Sequence, residues 1–182
     1  MKSIYLLLTR SSSIPSRLIG VFTNEPFTHV SIAFDRELTS MYSFSRKYPA
    51  LPLPAGLTEE HIDRGFYRKQ NNIPCALLRM DVPDKIHARA ETLVYNMFQH
   101  RDDYAYSLLG LLLCRLRIPF NIPNRYFCSQ FVSTVLADSG ALNLPKPASL
   151  MHPFDFCSLD SLQILYLGSL DGLLFRQHKT QA

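Results

Sequence analysis

The chain has 182 residues, enough for one hydrophobic core and too few for two comfortable ones, so a single domain spanning 1–182 is expected. Hydrophobic residues make up 47% and charged residues 19%, with 12 Phe, 9 Tyr and no Trp, which excludes a disordered or collagen-like polymer. The net charge of +4 is spread along the chain without long basic runs, so an anionic substrate or surface fits better than nucleic acid.

In chain order, the N-terminal MKSIYLLLTR has its apolar run only from Ile4 to Leu8, shorter than a secretory hydrophobic region. It reads as a first strand, and a cytoplasmic location is expected. Ser13-Ile14-Pro15 marks the start of a short helix running to about Phe22. THVSIAFD, 28–35, is a strand, and LTSMYSFS, 38–45, alternates as its hairpin partner. Residues 48–65 carry Pro and Gly repeatedly and read as a long surface loop, a kind of segment that often has a functional role.

NIPCALLRMDV, 72–82, returns to a strand. Ile86, Ala90, Leu93, Val94, Met97 and Phe98 then share one face of a helix ending near His100. A second helix, about 104–116, is apolar nearly all round and is expected to be buried; its SLLGLLLC core is too short to span a bilayer, so no integral membrane segment is expected. A third helix runs from Cys128 to Gly140, a residue suited to the position just past a helix end. LQILYLG and GLLFRQ, 162–168 and 172–177, close the chain as strands. The order suits an α+β domain with a mostly antiparallel sheet.

The four cysteines, 39, 14 and 29 residues apart, form no CxxC pair and no zinc spacing, so reduced thiols and no metal are expected. His100, Asp102 and Asp103 fit a solvated helix end better than a metal site. No P-loop, GxGxxG or GxSxG pattern is present, and no cofactor is expected.

Cys128 begins the third helix, with Val132, Val135 and Leu136 following on the inward face. Free cysteines are usually packed and inert. A helix N-terminus, however, favours a thiolate, and a lowered pKa is what makes a thiol nucleophilic. A base is then required. Of six histidines, only His29 lies within a well-patterned strand, on the face with Ser31, Ala33 and Asp35 and opposite Val30, Ile32 and Phe34. Matching apolar faces across the hairpin puts Ser43 and Ser45 on the His29 side, in one register Ser45 opposite His29 and in the tighter one Ser43.

The run C-S-Q-F-V at 128–132 resembles the nucleophile segment of NlpC-type papain-like thiol hydrolases, and T-H-V-S-I-A at 28–33 resembles their histidine strand. His29 precedes Cys128 by 99 residues, the order of the circularly permuted branch that holds the YiiX/YaeF-like proteins and the lecithin:retinol acyltransferase-like enzymes. The resemblance covers most of the chain from Leu6 to about Phe156. It implies a papain-like fold in which an antiparallel sheet packs on the nucleophile-bearing helix. It also implies that Cys128 is the nucleophile and His29, neutral at rest, the general base, for hydrolysis or transfer of an amide, peptide or acyl ester bond. The family's third polar residue has no match on the strand after the histidine. Ser43 ranks first for that role, ahead of Asp35. Tyr126 and the Cys128 backbone N–H are the candidates for the oxyanion or cleft. The expected partner is a small-molecule, peptide or lipid substrate. A catalytically idle ligand-binding module and a peripheral lipid-acting acyltransferase are the alternatives.

Overall fold

The computed structural model describes residues 1–10, 25–46, 54–62, 67 and 72–180. Among them lies a six-stranded antiparallel sheet in the order β4-β3-β2-β1-β5-β8. Its strands are β1 (Lys2–Thr9), β2 (His29–Ala33), β3 (Met41–Arg46), β4 (Ala55–Glu60), β5 (Pro74–Val82) and β8 (Gln163–Ser169). The helices are α1 (Asp84–Gln99), α2 (Leu108–Arg115), α3 (Cys128–Ser139) and α4 (Leu170–Thr180). Two short strands, β6 (Ala105–Tyr106) and β7 (Arg125–Tyr126), pair in parallel before α3. The α+β class and the antiparallel sheet expected from sequence are present.

β1 holds the centre because its Ile4, Leu6 and Leu8 face one layer while Tyr5 and Leu7 face the other, a strand covered on both sides. The larger layer packs Val30, Ile32, Phe44 and Leu78 against Ala90 and Val94 of α1 and Phe131, Val132, Val135 and Leu136 of α3. The second layer gathers Leu7, Ala33, Met41, Ile62, Tyr67 and Leu77 with Leu170 and Leu173 of α4. That second layer also covers the face of β2 that carries His29 and Ser31, both of which are buried.

α3 has the bounds its sequence implies. Gly140 follows it at φ 82°, a left-handed conformation that costs glycine little, and the Ala141 and Leu142 N–H groups return to the Leu136 carbonyl.

Four local expectations differ from the structure or fall outside it. The helix expected near 13–22 lies outside the described residues. Within the 48–65 stretch, Ala55–Glu60 is a strand that pairs with β3 from Met41↔Glu60 to Arg46↔Ala55. Tertiary pairing there overrides the poor strand preference of two successive glutamates. GLLFRQ belongs to α4, because Leu170, Leu173 and Leu174 recur at helical spacing over the second layer and the Ser169 hydroxyl accepts from the Gly172 N–H. Lastly, α2 is not buried all round. Only Gly110 and Cys114 are buried on it, and Leu109, Leu112 and the following Leu116, Ile118 and Phe120 are exposed.

Among the described residues no helix is long and apolar enough to cross a membrane.

Phe131 is fully buried, its ring 5.3 Å from that of Phe44 at the contact between α3 and the sheet. Phe131→Ala is expected to cost about 3–5 kcal/mol in urea unfolding, and a loss below about 1 kcal/mol would show that α3 is not anchored there.

Candidate functional site

Cys128 is the first residue of α3 and is buried. The residue before it, Phe127, occupies the N-cap with extended backbone (φ −106°, ψ 168°) and makes no side-chain cap. The first-turn N–H groups thus receive no acceptor from the cap residue, where a Ser or Asp would normally supply one. The same turn is tied down from the side. The Ser129 hydroxyl donates to the Met151 carbonyl at 2.6 Å, and Gln130 Nε2 donates to Asn121 Oδ1 at 2.9 Å.

His29 opens β2, so its ring lies at a strand end and meets groups from both layers of the sheet. Its Nε2 stands 3.1 Å from Glu60 Oε1 and 3.2 Å from Oε2, and the Ser31 hydroxyl lies 3.3 Å from the same nitrogen. The Cys128 thiol lies near enough to the ring to help raise its pKa. With Nε2 committed to the carboxylate, Nδ1 is the nitrogen left to face it. The structure therefore brings the two predicted residues together, and the group between them and the second layer is Glu60.

Glu60 is the last residue of β4 and reaches back over β3 toward β2. Ser43 and Ser45 on β3 are short, which leaves space for that path. The carboxylate accepts from the Ser31 hydroxyl at 2.5 Å and from the Tyr67 hydroxyl at 3.2 Å. Burial on its own would push Glu60 up and His29 down. The charge each holds toward the other reverses both shifts: His29 rises to about 10 and Glu60 falls to about 2, helped by the Cys128 contact on the ring and the Ser31 and Ser45 contacts on the carboxylate. The resting ring is a cation, not the neutral base that the sequence resemblance implied.

Ser43 does not orient His29. Its hydroxyl donates to the Val30 carbonyl at 2.7 Å, a bond to the neighbouring strand's backbone that leaves its one proton spent. Ser45 Oγ pairs with Thr58 Oγ1 at 2.6 Å. Asp35 accepts from the Thr39 N–H at 2.9 Å within the β2–β3 turn and stays there. Tyr126 is half buried in an aromatic cluster, its ring 5.4 Å from Phe44 and 6.3 Å from Tyr104. Tyr106, buried and opposite Tyr126 in the short β6–β7 ladder, lies within electrostatic range of Cys128. Burial raises its pKa well above the ordinary tyrosine value, so the hydroxyl keeps its proton and can donate.

Sequence reasoning missed Glu60 and Tyr106. Glu60 lies in a Pro- and Gly-rich stretch that reads as a loop, and the polar run Thr58-Glu59-Glu60 carries no apolar alternation to mark a strand. Tyr106 stood in what was read as the start of a helix. Among the described residues no cluster of three or more potential ligands is arranged to hold a metal ion. No family model, curated protein or solved structure matches the chain.

The pair sets a pH window. The raised His29 contributes stability in full below its ordinary 6.5 and loses it as pH climbs through about 10. The lowered Glu60 contributes above its ordinary 4.5 and loses it as pH falls through about 2. Glu60→Gln should therefore flatten the alkaline fall in stability between roughly pH 6.5 and 10, and NMR titration of His29 should show its pKa dropping below 7. Parallel wild-type and variant curves of urea midpoint against pH would remove the ion pair from the account.

Proposed function

We propose that this chain is a cysteine-dependent hydrolase or acyltransferase of the permuted papain-like kind, acting on an amide, peptide or acyl ester bond through a thioester on Cys128. The observation that carries the reading is one imidazole held between a buried carboxylate, Glu60, and a thiol that begins a helix. A nucleophile, a proton carrier and a group that orients the carrier are the parts that thiol acyl transfer needs.

The chemistry runs from the ion pair. The Cys128 thiolate attacks the carbonyl carbon while the imidazolium of His29 stands beside it. The oxyanion is met by the Cys128 N–H and the uncapped first turn of α3, with the Tyr106 hydroxyl as a further donor. His29 passes its proton to the leaving amine or alcohol and becomes neutral. It then takes a proton from water, or from an acceptor hydroxyl or amine, as that group attacks the thioester. The acid or the transferred acyl product leaves, and Cys128 and His29 return to their starting charges. Glu60 stays ionised throughout and fixes which ring nitrogen faces the sulfur, as the carboxylate does in serine-protease triads. All four cysteines are free, which supports a reducing, cytoplasmic setting.

A short acyl p-nitrophenyl ester tests this. Wild type should release a burst of nitrophenol and carry the acyl mass on the Cys128 peptide. Cys128→Ala should abolish both, and His29→Ala should slow acylation by about 10²–10⁴-fold. Labelling that persists in both variants would reject the Cys128/His29 assignment. Absence of labelling in wild type would favour the idle binding module.

One observation favours a lipid as the substrate class. Exposed Leu109, Leu112, Leu116, Ile118 and Phe120 lie with exposed Arg115 and Arg117 on α2 and the turn after it. α2 adjoins the site, since a side chain on Gly110 would meet Phe127, the residue before Cys128, at 3.6 Å. An apolar patch with basic neighbours suits an anionic bilayer surface. Co-sedimentation with phosphatidylserine vesicles should fall at least about tenfold for a Leu112→Asp/Leu116→Asp double variant, and equal binding would direct the substrate search toward peptides.

A further inference from the structure

Cys114 stands near the C-terminal end of α2 and is buried. Its Sγ lies 3.6 Å from His152 Nε2, and His152 Nδ1 lies 3.2 Å from Glu25 Oε1. The ring thus bridges a thiol and a carboxylate with one nitrogen to each. The His152 backbone N–H donates to Asp155 Oδ2 at 2.6 Å, and Asp155 is in turn held by Lys146 Nζ at 2.7 Å, which fixes the ring's segment. None of these residues belongs to the His29, Glu60 and Cys128 set. Both ring nitrogens are spoken for, one by sulfur and one by oxygen, so the group cannot close on a metal ion through Cys114 and Glu25 together.

We propose that Cys114, His152 and Glu25 form a second activated thiol, a site at which a small hydroperoxide oxidises Cys114 to the sulfenic acid. The geometry is that of a nucleophile, its proton partner and an orienting carboxylate. Burial limits the reagent: Cys114 is 2% exposed, whereas His152 and Glu25 keep about a quarter of their side chains in solvent, so only a compact uncharged molecule passes the ring edge to the sulfur. In the step, the Cys114 thiolate attacks one peroxide oxygen. The S–O bond forms as the O–O bond breaks, sulfur is oxidised and the peroxide reduced. The departing hydroxide or alkoxide takes the His152 imidazolium proton and leaves as water or alcohol. A low-molecular-weight thiol can reverse the change. The helix itself works against this thiolate, because the C-terminal end of α2 is the negative end of its dipole. Reactivity at Cys114 therefore rests on His152. The Cys114 and Glu25 contacts, set against partial burial, hold that ring protonated, with its pKa raised to about 10.

Cys75 is the internal control, as it is equally buried, has apolar surroundings, and burial pushes its thiol up to about 12. The test uses the full chain carrying Cys128→Ser, so its outcome is independent of whether Cys128 is the acyl-transfer nucleophile. Hydrogen peroxide is added, sulfenic acid is trapped with dimedone, and labelled peptides are followed by mass spectrometry. Cys114 should label at least about tenfold faster than Cys75, and His152→Gln should bring that ratio close to one. Glu25→Gln should lower the ratio by a smaller factor while leaving the fold intact by circular dichroism, which decides the matter if His152→Gln unfolds. A ratio near one in the parent, or a ratio unchanged by both substitutions, overturns the proposal.

Discussion

The largely buried pair of His29 and Glu60 is the constraint to which the surrounding structure answers. Two charges taken out of water are costly, and they are tolerated only where each compensates the other and the remaining lone pairs are filled. Here the Ser31 and Tyr67 hydroxyls donate to the carboxylate, and the Cys128 thiol lies near the ring. Each demand has a structural counterpart. β4 must pair with β3 to bring Glu60 into range, β3 must carry short side chains beneath its path, and the second layer must cover the face that β2 would otherwise show to solvent.

Two thiols in this chain sit against protonated imidazoles, and the helices divide them. Cys128 begins α3, where the dipole and the uncapped N–H groups favour negative charge. Cys114 ends α2, where the dipole opposes it, and only His152 offsets that. Both imidazoles are in turn held by a glutamate, yet the two sites differ in cover: Glu60 is enclosed by the sheet and Tyr67, whereas Glu25 and His152 reach solvent. Cys75 and Cys157 have no such partner, and burial raises both. Chemistry at a cysteine follows from these neighbours, not from burial alone.

α2 shows the limit of reading burial from composition. A run of leucines has the same periodicity whether it fills a core or lies on a surface, because the pattern records what the segment can pack against and not whether a partner is there. In this chain α1 and α3 already cover much of the larger layer, and α2 packs Leu108, Gly110, Leu111 and Cys114 inward and leaves Leu109 and Leu112 exposed. Gly110 permits the Ser107 cap of α2, since a Cβ there would stand 2.5 Å from the Ser107 oxygen that accepts its own N–H.

By itself the sequence determined the α+β class, the strands at β1, β2, β3 and β5, and the helix from Cys128 to its glycine stop. Those features are written locally, in two-residue and helical periods and a glycine suited to a helix end. The tertiary structure decided what local patterns do not encode. Glu60 became a strand residue because β3 offered an unpaired edge, and it became the partner of His29 because the fold carries its carboxylate across β3, where no spacing rule between positions 29 and 60 would place it. Ser43 lost the orienting role because its hydroxyl donates its proton to the Val30 carbonyl. The charge on His29 was likewise a tertiary outcome, since a histidine's protonation depends on which groups share its burial, and those groups come from β2, β4 and the start of α3.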